Sequence, residues 1–335
     1  MPSAARPRLP RPVSWRFEEP ALPMLSLLRR LKLSYAAYNV FQRRRLVHNL
    51  PLYQRLGLNK QYFSPISSRD FAHLSPTAGL SPVPPLAERL AATLAFQALP
   101  ATSQASLRVF EENGFAILPG FFSPEAVDGI NQELAHLVTT QKVSLRYRNK
   151  FMFAFRKSAR IRAAGESALR ELVAALLGYD ATLFQSINFL TGSEQRTHSD
   201  SIHMSTFPLG GMAAAWIALE DIMPGNGPLH YYPGSHKLPY YLNADYANAG
   251  NAWLTGNKEY TEYEATIARK ITETGLEKQI FLARKGDVFI WHANLMHGGE
   301  PHLNKEMTRK SMVFHYFSRA HICYHEITQR PALLG

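Results

Sequence analysis

Across the second half of the chain, short runs of β-forming residues are punctuated by tight-turn chemistry. The runs are ATLFQSINFL, HSDSIHMSTF, GGMAAAWIALEDI, GPLHYYPGSH, QIFLARKGDVFIWHANLMHGG and TRKSMVFHYF. Between or within them stand Gly192-Ser193, Pro224-Gly225-Asn226-Gly227, Pro233-Gly234 and Lys285-Gly286-Asp287, residues that preset φ or tolerate a positive φ. Upstream the apolar period lengthens to that of a helix. SLRVFEENGFAILPGFFSPEAVDGINQELAHLV predicts helix, short strand, turn, then a helix opened by Ser123 as N-cap with Pro124 and Glu125 behind it. ESALRELVAALLGYD predicts another helix, stopped by Gly178. Helices first and many short strands after predict a mainly β fold with helices, an antiparallel barrel or jelly roll braced from outside.

The body of this fold starts near residue 100 and runs to 335, with a long polar, aromatic-rich insertion at about 240–275 that suits a lid or substrate loop as well as a surface excursion. Before it, residues 24–99 form a different unit. MLSLLRRLKLSYAAYNVFQRRRLVHNL places Leu25, Leu28, Leu31, Tyr35, Tyr38 and Val40 near helical spacing with basic residues between them. A Pro- and Ser-rich connection follows. Two readings of the basic arm at 24–60 stand side by side: peripheral contact with an anionic membrane surface, and a helix packed on its own domain with a solvated basic face. Residues 1–23 are rich in Pro and Arg and read as disordered. Their acid-poor composition admits a mitochondrial transit peptide; their Pro content favours an over-extended start with Met24 as the natural initiator.

Charge sharpens this division. Residues 1–60 hold twelve Lys and Arg against Glu18 and Glu19, so they carry +10 of the net +11 and leave the rest of the chain at +1. A nearly neutral body argues against nucleic acid as a partner. Cys323 is the only cysteine, so no internal disulfide forms and a reducing, cytoplasmic compartment is favoured. No apolar run reaches the roughly 18 residues of a membrane-spanning helix.

Candidate chemistry begins at QRTHSDSIH. His198 and Asp200 are two apart, a spacing that sends both side chains to one face of an extended strand. A third ligand is offered by His292, His297, His302 or His315. His297 stands out, because it ends a β-rich run and precedes Gly298-Gly299, where a strand can bend and backbone can approach a ligand closely. Two histidines and one carboxylate leave the opposite face of a metal open, the facial triad of non-haem Fe(II) oxygenases. Arg309, twelve residues beyond His297 at the head of the next strand, offers a planar fork for a co-substrate carboxylate. His315 alternates onto the same strand face as Arg309 and suits support of a ligand better than ligation. Trp291 and Phe289 read as core, and PGSHK (233–237) as a structural turn. His203, His230 and His236 face the cavity or bond to backbone; spacing leaves both open.

These stretches together resemble the phytanoyl-CoA dioxygenase family over about residues 105–318. The resemblance rests on NGFAILPGFFSPEAV, HSD, AAWIALEDIMPGNGPLHYYPGSHK and KGDVFIWHANLMHGGEPHLNKEMTRKSMVFHYF in that order. It implies a double-stranded β-helix of the cupin-like, jelly-roll kind, with His198, Asp200 and His297 as iron ligands and Arg309 as the 2-oxoglutarate clamp. It also implies that Trp216 lines the co-substrate pocket, that Gln185 contacts iron-bound 2-oxoglutarate, and that Lys150 reaches in from the preceding loop. Where some members place a serine two residues after the distal histidine, this chain has Gly299. The implied activity consumes Fe(II)-bound 2-oxoglutarate and O₂, releases succinate and CO₂, and hydroxylates an aliphatic C–H of a small-molecule or lipid-like substrate. Desaturation, ring closure and epoxidation use the same ligands, whereas halogenases replace the carboxylate that Asp200 retains. The rival readings are an inactive binding or scaffold protein on an oxygenase-like barrel and a cupin-like zinc or manganese enzyme.

Overall fold

The computed structural model describes residues 30–145 and 150–334. The segment 1–23 and residues 24–29 of the arm, with the readings attached to them, lie outside the described residues. Twelve strands form three sheets. The largest has the order β1 (Phe115–Leu118), β8 (Val288–His292), β5 (Met212–Ala218), β10 (Ser311–Ser318), β3 (Ala181–Phe189), β2 (Lys150–Met152), all antiparallel. Facing it is a smaller sheet of β7 (Gln279–Phe281), β6 (Leu229–Tyr231) and β9 (His297–Gly299). The third joins β12 (Arg330–Pro331), β11 (Ile322–His325) and β4 (Ser205–Phe207).

Strand alternation explains how one sheet serves two cores. On β5, β8 and β10 successive side chains go to opposite faces. Ala213, Ala215, Ile217, Val288, Ile290, Met312 and Phe314 turn outward onto the helices, where they meet Ile130, Leu134, Leu169, Leu172 and Val173. Ala214, Trp216, Ala218, Phe289, Trp291 and Val313 turn inward and pack against Leu229, Tyr231 and Phe281 of the small sheet. The sheet is buried on both faces, so β5 reads as a continuous apolar run, MAAAWIA, rather than as an alternation. The bracing helices are those expected. Pro124–Thr139 is capped by Ser123 Oγ, which accepts from Ala126 N, and Ala168–Leu177 ends at Gly178 with φ 79°.

β3 departs from regular pairing at one point that matters. Its register against β10 slips between His315 and Tyr316, so that His315 pairs with Gln185 and Tyr316 with Leu183, leaving Phe184 as the extra residue of a bulge. Leu183 packs with the helix-side core, and the bulge turns Gln185 to the inner face beside His315.

The arm is docked on the body. Its described helices are Lys32–Val40, Arg43–Leu46 and Leu50–Arg55. Tyr53, Ile66 and Phe71 pack against Phe207, Ile322 and Tyr324 of the third sheet, with the Phe71 and Phe207 rings stacked at 4.2 Å. Full burial of each such side chain contributes about 1.5–3 kcal/mol. Leu33 and Phe41 stay exposed on the same unit. Among the described residues no helix is long and apolar enough to cross a membrane. The insertion forms a 3-10 turn at Asn243–Tyr246 and a helix at Tyr260–Thr274, whose Tyr263 and Ile267 are fully buried against Ile202 and Met296.

One expectation fails locally. HSDSIHMSTF does not run as a strand. Asp200–Ile202 is a single 3-10 turn, because the Asp200 carbonyl accepts the amides of His203 (2.9 Å) and Met204 (2.8 Å), and β4 begins only at Ser205.

Candidate metal centre

His198 and His297 meet through a two-residue antiparallel bridge. His198 N donates to His297 O and His297 N to His198 O, both at 2.9 Å, so His198 extends the small sheet beyond β9. Residues directly opposite in such a pair carry their side chains on the same face. Their ring centroids lie 4.5 Å apart. Asp200 reaches the same point from the turn that follows. Its Oδ1 is 3.9 Å from His198 Nε2 and 3.8 Å from His297 Nε2. Thus the bridge and the turn, rather than strand alternation between 198 and 200, bring the three groups together.

This donor set fits a divalent metal ion. The ligand atoms of His198, Asp200 and His297 all lie within 4.8 Å of one another. The Nε2–Oδ1 separations are shorter than the ~4.2 Å that two bonds of about 2.1 Å can span. The tautomers are set from behind: His198 Nδ1 donates to Arg196 O and His297 Nδ1 to Leu295 O, each at 2.9 Å, which leaves the Nε2 lone pairs aimed inward. Burial pushes the His198 imidazole well below its usual range, with His297 acting in the same direction, so it stays a neutral ligand. For Asp200 burial acts upward, but His297, His315 and His198 outweigh it and hold the carboxyl well below the usual carboxylate range. Its second oxygen is spoken for: Trp291 Nε1 donates to Oδ2 at 2.7 Å, and His315 Nε2 stands 3.7 Å away.

Arg309 lies on the inward side of the chain entering β10, 2% exposed. The AAWIALEDIMPGNG stretch holds it. Glu220 accepts from Thr308 Oγ1 (2.7 Å) and Lys310 N (2.6 Å), gripping the residues on either side, and Gly227 O accepts from Arg309 Nε at 3.1 Å. The guanidinium packs over Trp216 at 5.0 Å and donates from Nη1 to Ser311 Oγ at 2.7 Å. Burial lowers it to about 10, with Glu220 acting upward, so it remains a cation at neutral pH. No carboxylate among the described residues forms an ion pair with it. Trp216 Nε1 is buried without an acceptor among the described residues. A buried cation and an orphaned donor on adjacent strands are what a bound dicarboxylate would satisfy.

Gln185 faces inward beside His315. Lys150, opposite Phe189 on the edge strand β2, stands on that face as well. Its charge is among the influences that, after burial, bring His203 down to about 4. His203 belongs to this neighbourhood: its ring is 5.9 Å from that of His198, and its Nε2 is 3.1 Å from Tyr260 Oη. The other histidines weighed from the sequence are engaged elsewhere. His230 Nε2 meets Thr197 Oγ1 (2.9 Å) and its Nδ1 meets Glu300 (2.8 Å); His236 bonds to Glu111 O; His292 Nδ1 accepts from Asn294 N and His302 Nδ1 from Gly192 N.

Gly298 and Gly299 do permit close approach, but by protein. A Cβ on Gly298 would meet the His230 ring at 2.6 Å and Gln195 O at 2.7 Å. One on Gly299 would stand 2.5 Å from Ser193 Oγ, so the Ser193 hydroxyl lies against the Gly299 backbone, where some family members carry a serine. PGSHK is the structural turn its composition suggests: Ser235 Oγ donates to Tyr232 O and accepts from Met296 N, bracing the strand that carries His297.

Two supporting groups escaped the sequence. Trp291 is core, as read, yet its indole N–H is the group that orients Asp200. Tyr263, on the insertion helix, accepts from Ser199 N at 3.1 Å, between the two ligands. The inward parity of position 291, shared with 289, was the available signal for the first. Nothing local signals the second.

The fold is a double-stranded β-helix, and between its sheets lies a His-Asp-His cluster whose geometry fits a divalent ion. Residues 110–311, more than half of the chain, match the model of the phytanoyl-CoA dioxygenase (PhyH) family, and the chain belongs to that family. Phytanoyl-CoA dioxygenase domain-containing protein 1 of Rattus norvegicus is 21% identical over 65% of this chain and 91% of its own length. The corresponding Mus musculus protein is 25% identical over 40% of this chain, and the match spans 65% of its length. Ectoine dioxygenase of Halomonas elongata is 24% identical over 70% of this chain and 76% of its own length. Among solved structures, EctD from S. alaskensis with 2-oxoglutarate and 5-hydroxyectoine superposes with a TM-score of 0.51 (19% identity, 66% of this chain and 77% of that one). The non-haem α-ketoglutarate-dependent carbocyclase SnoK from nogalamycin biosynthesis does so with 0.53 (16% identity, 68% and 89%). These likenesses establish the jelly-roll fold.

Proposed function

We propose that this protein is a non-haem Fe(II)- and 2-oxoglutarate-dependent dioxygenase that hydroxylates an aliphatic C–H of a small-molecule substrate, releasing succinate and CO₂. The observation that carries the reading is the pairing of a buried His198–Asp200–His297 cluster with Arg309, a buried guanidinium with no ion-paired acid among the described residues. A metal ion with bound co-substrate supplies O₂ activation, the chemistry no side chain here performs.

The protein's own part is positional. His198 and His297 offer Nε2 because their Nδ1 protons are tied to backbone, and Asp200 offers Oδ1 because Oδ2 is tied to Trp291. Arg309 and the free Trp216 N–H receive the co-substrate acid at a distance from the ligands. Gln185 and Lys150 reach the same space from β3 and β2 as supporting polar contacts. Tyr260 and Tyr263 of the insertion helix close one side and help exclude water. Retention of Asp200 favours hydroxylation over halogenation. A lipid-like substrate and peripheral membrane contact belong to the same proposal, supported by Leu33, Phe41, Arg43 and Arg44, all exposed on the arm. A purified chain that ignores anionic vesicles at low salt removes that part.

The test of the central reading is anaerobic addition of Fe(II), then 2-oxoglutarate, followed by visible absorption. A metal-to-ligand charge-transfer band is expected, absent in His198→Ala and weakened in Arg309→Ala. A folded wild-type protein that binds no iron and shows no band refutes the proposal and favours a scaffold on an oxygenase-like barrel.

A further inference from the structure

Next to the metal centre is a cavity of about 460 Å³, whose lining shares Gln185 with the site described above and none of its other residues. Gln185 and Met204 form its inner wall, and both adjoin the centre. Gln185 pairs with His315, and the Met204 amide donates to Asp200 O. The outer wall is not barrel at all. Tyr38, Asn39 and Arg45 come from the arm, and Arg330 to Leu333 from the segment after β11.

Three arginines, Arg45, Arg156 and Arg330, line this cavity, and no aspartate or glutamate does. None of the three forms an ion pair with a described carboxylate. Neutral partners hold them instead. Arg45 Nε donates to Leu334 O at 2.8 Å, and Arg330 Nε to Thr328 Oγ1 at 3.1 Å with its guanidinium over Tyr35. Arg156 packs over Phe153 at 4.3 Å. Among the described residues its Nη2 reaches Phe184 O (3.4 Å) and Leu333 O (3.5 Å), and its buried Nε finds no acceptor. Burial, followed by repulsion from Arg45 and Arg162, lowers Arg156 to about 10, so it stays a cation, and among the described residues no carboxylate pairs with the cluster. Part-buried like charges with unfilled donors are costly unless an anion completes them. The apolar part of the wall includes Met152, Phe153, Phe184 and Met204, with Asn39, Gln185 and His325 among them.

We propose that this cavity is the substrate site and that it takes an amphiphilic anion, a carboxylate or phosphate ester on an apolar stem. The head lies among Arg45, Arg156 and Arg330, and the stem runs past Gln185 toward the metal centre. Its role as the substrate site rests on the oxygenase reading; its taste for anions does not. The co-substrate has a separate cation in Arg309, whose neighbours Trp216, Ser311 and Gly227 do not line this cavity. Two cationic places thus serve two different acids. The volume lies in the range of small-molecule sites.

The test titrates octyl phosphate, octanoate and neutral octanol calorimetrically into the full chain, anaerobically loaded with Fe(II) and 2-oxoglutarate. The anionic probes are expected to bind at least tenfold more tightly than octanol. Arg156→Gln and Arg45→Gln each weaken octyl phosphate about tenfold or more and leave octanol unchanged, whereas Lys157→Gln, exposed and outside the cavity, changes nothing. In Arg156→Gln the 2-oxoglutarate charge-transfer band keeps its wild-type midpoint. If wild type shows no band but still binds octyl phosphate in an Arg156-dependent way, the anion site stands and the oxygenase reading falls. Anionic probes no tighter than octanol, undiminished binding in both arginine variants, or displacement of octyl phosphate by 2-oxoglutarate overturn the proposal. Flotation with phosphatidylcholine vesicles, with and without phosphatidic acid, separates the sources. Arg156-dependent retention on the acidic vesicles identifies a lipid head group, and none identifies a free small molecule.

Discussion

Replacing Trp291 by phenylalanine removes a single hydrogen bond from the Asp200 carboxylate while keeping an aromatic ring in the same slot. The indole is 2% exposed and stacks near His297 at 4.6 Å and Phe289 at 5.9 Å, contacts a phenyl ring largely retains. The lost bond is the 2.7 Å contact from Nε1 to Oδ2. Among the described residues no other donor stands within hydrogen-bond length of Oδ2, His315 Nε2 being 3.7 Å away. A hydrogen bond to a charged group contributes about 1.5–3 kcal/mol. Losing one that orients a metal ligand weakens metal binding roughly 10- to 100-fold. Asp200 then rotates freely, and the ion must bear the cost of ordering it. The assay is an anaerobic Fe(II) titration against a competing chelator, with thermal unfolding of the apoprotein measured in parallel. We expect Fe(II) affinity to fall about tenfold or more, with the charge-transfer band restored at high Fe(II). An Fe(II) Kd within twofold of wild type, in a variant that is folded, would refute the view that the indole sets the carboxylate.

Three further outcomes follow from the same geometry. Arg309→Lys keeps the charge but loses the planar fork and its packing on Trp216, so the 2-oxoglutarate midpoint is expected to rise about 10- to 100-fold; an unchanged midpoint places the acid elsewhere. Tyr263→Phe strands the Ser199 amide in a buried setting and is expected to cost about 1–3 kcal/mol of apoprotein stability and to weaken Fe(II) binding; a Tm and Fe(II) Kd equal to wild type would show that the insertion helix does not support the ligands. Burial holds His292 and His325 down to about 3, below the ~6.5 of an unfolded chain, so over that interval the unfolded state binds more protons. Stability should fall as pH drops below about 6.5, by roughly 2 kcal/mol for each of the two by pH 5; urea midpoints that stay flat from pH 7 to 5 contradict this.

Much of this architecture is written locally. Period-two alternation on β5, β8 and β10 is a property of extended backbone, so inward Trp216, Phe289, Trp291 and Val313 follow once the strands are recognised. The N-cap at Ser123 and the stop at Gly178 depend on a few neighbouring atoms, and both hold. The grouping of His198, Asp200 and His297 that the structure shows was legible as a candidate from residue type and order along the chain. Their assembly was less so. His198 and Asp200 converge through a cross-sheet bridge to His297 and a 3-10 turn, and neither is visible in a two-residue spacing. Gln185 faces inward only because Phe184 bulges, a consequence of the pairing of β3 with β10.

What the sequence by itself determined is therefore the strand and helix pattern, the residue types at the centre and the concentration of positive charge in residues 1–60. What only the tertiary structure decided is which distant groups complete each charge. Trp291 ties Asp200, Glu220 brackets Arg309, Tyr263 holds the loop between ligands, and the arm with Arg45 closes a cavity against Arg156 and Arg330. The physical reason is range. Backbone preference and side-chain parity act over a few residues, whereas a buried charge or orphaned donor is satisfied by whatever the fold brings within about 3 Å, from any distance along the chain.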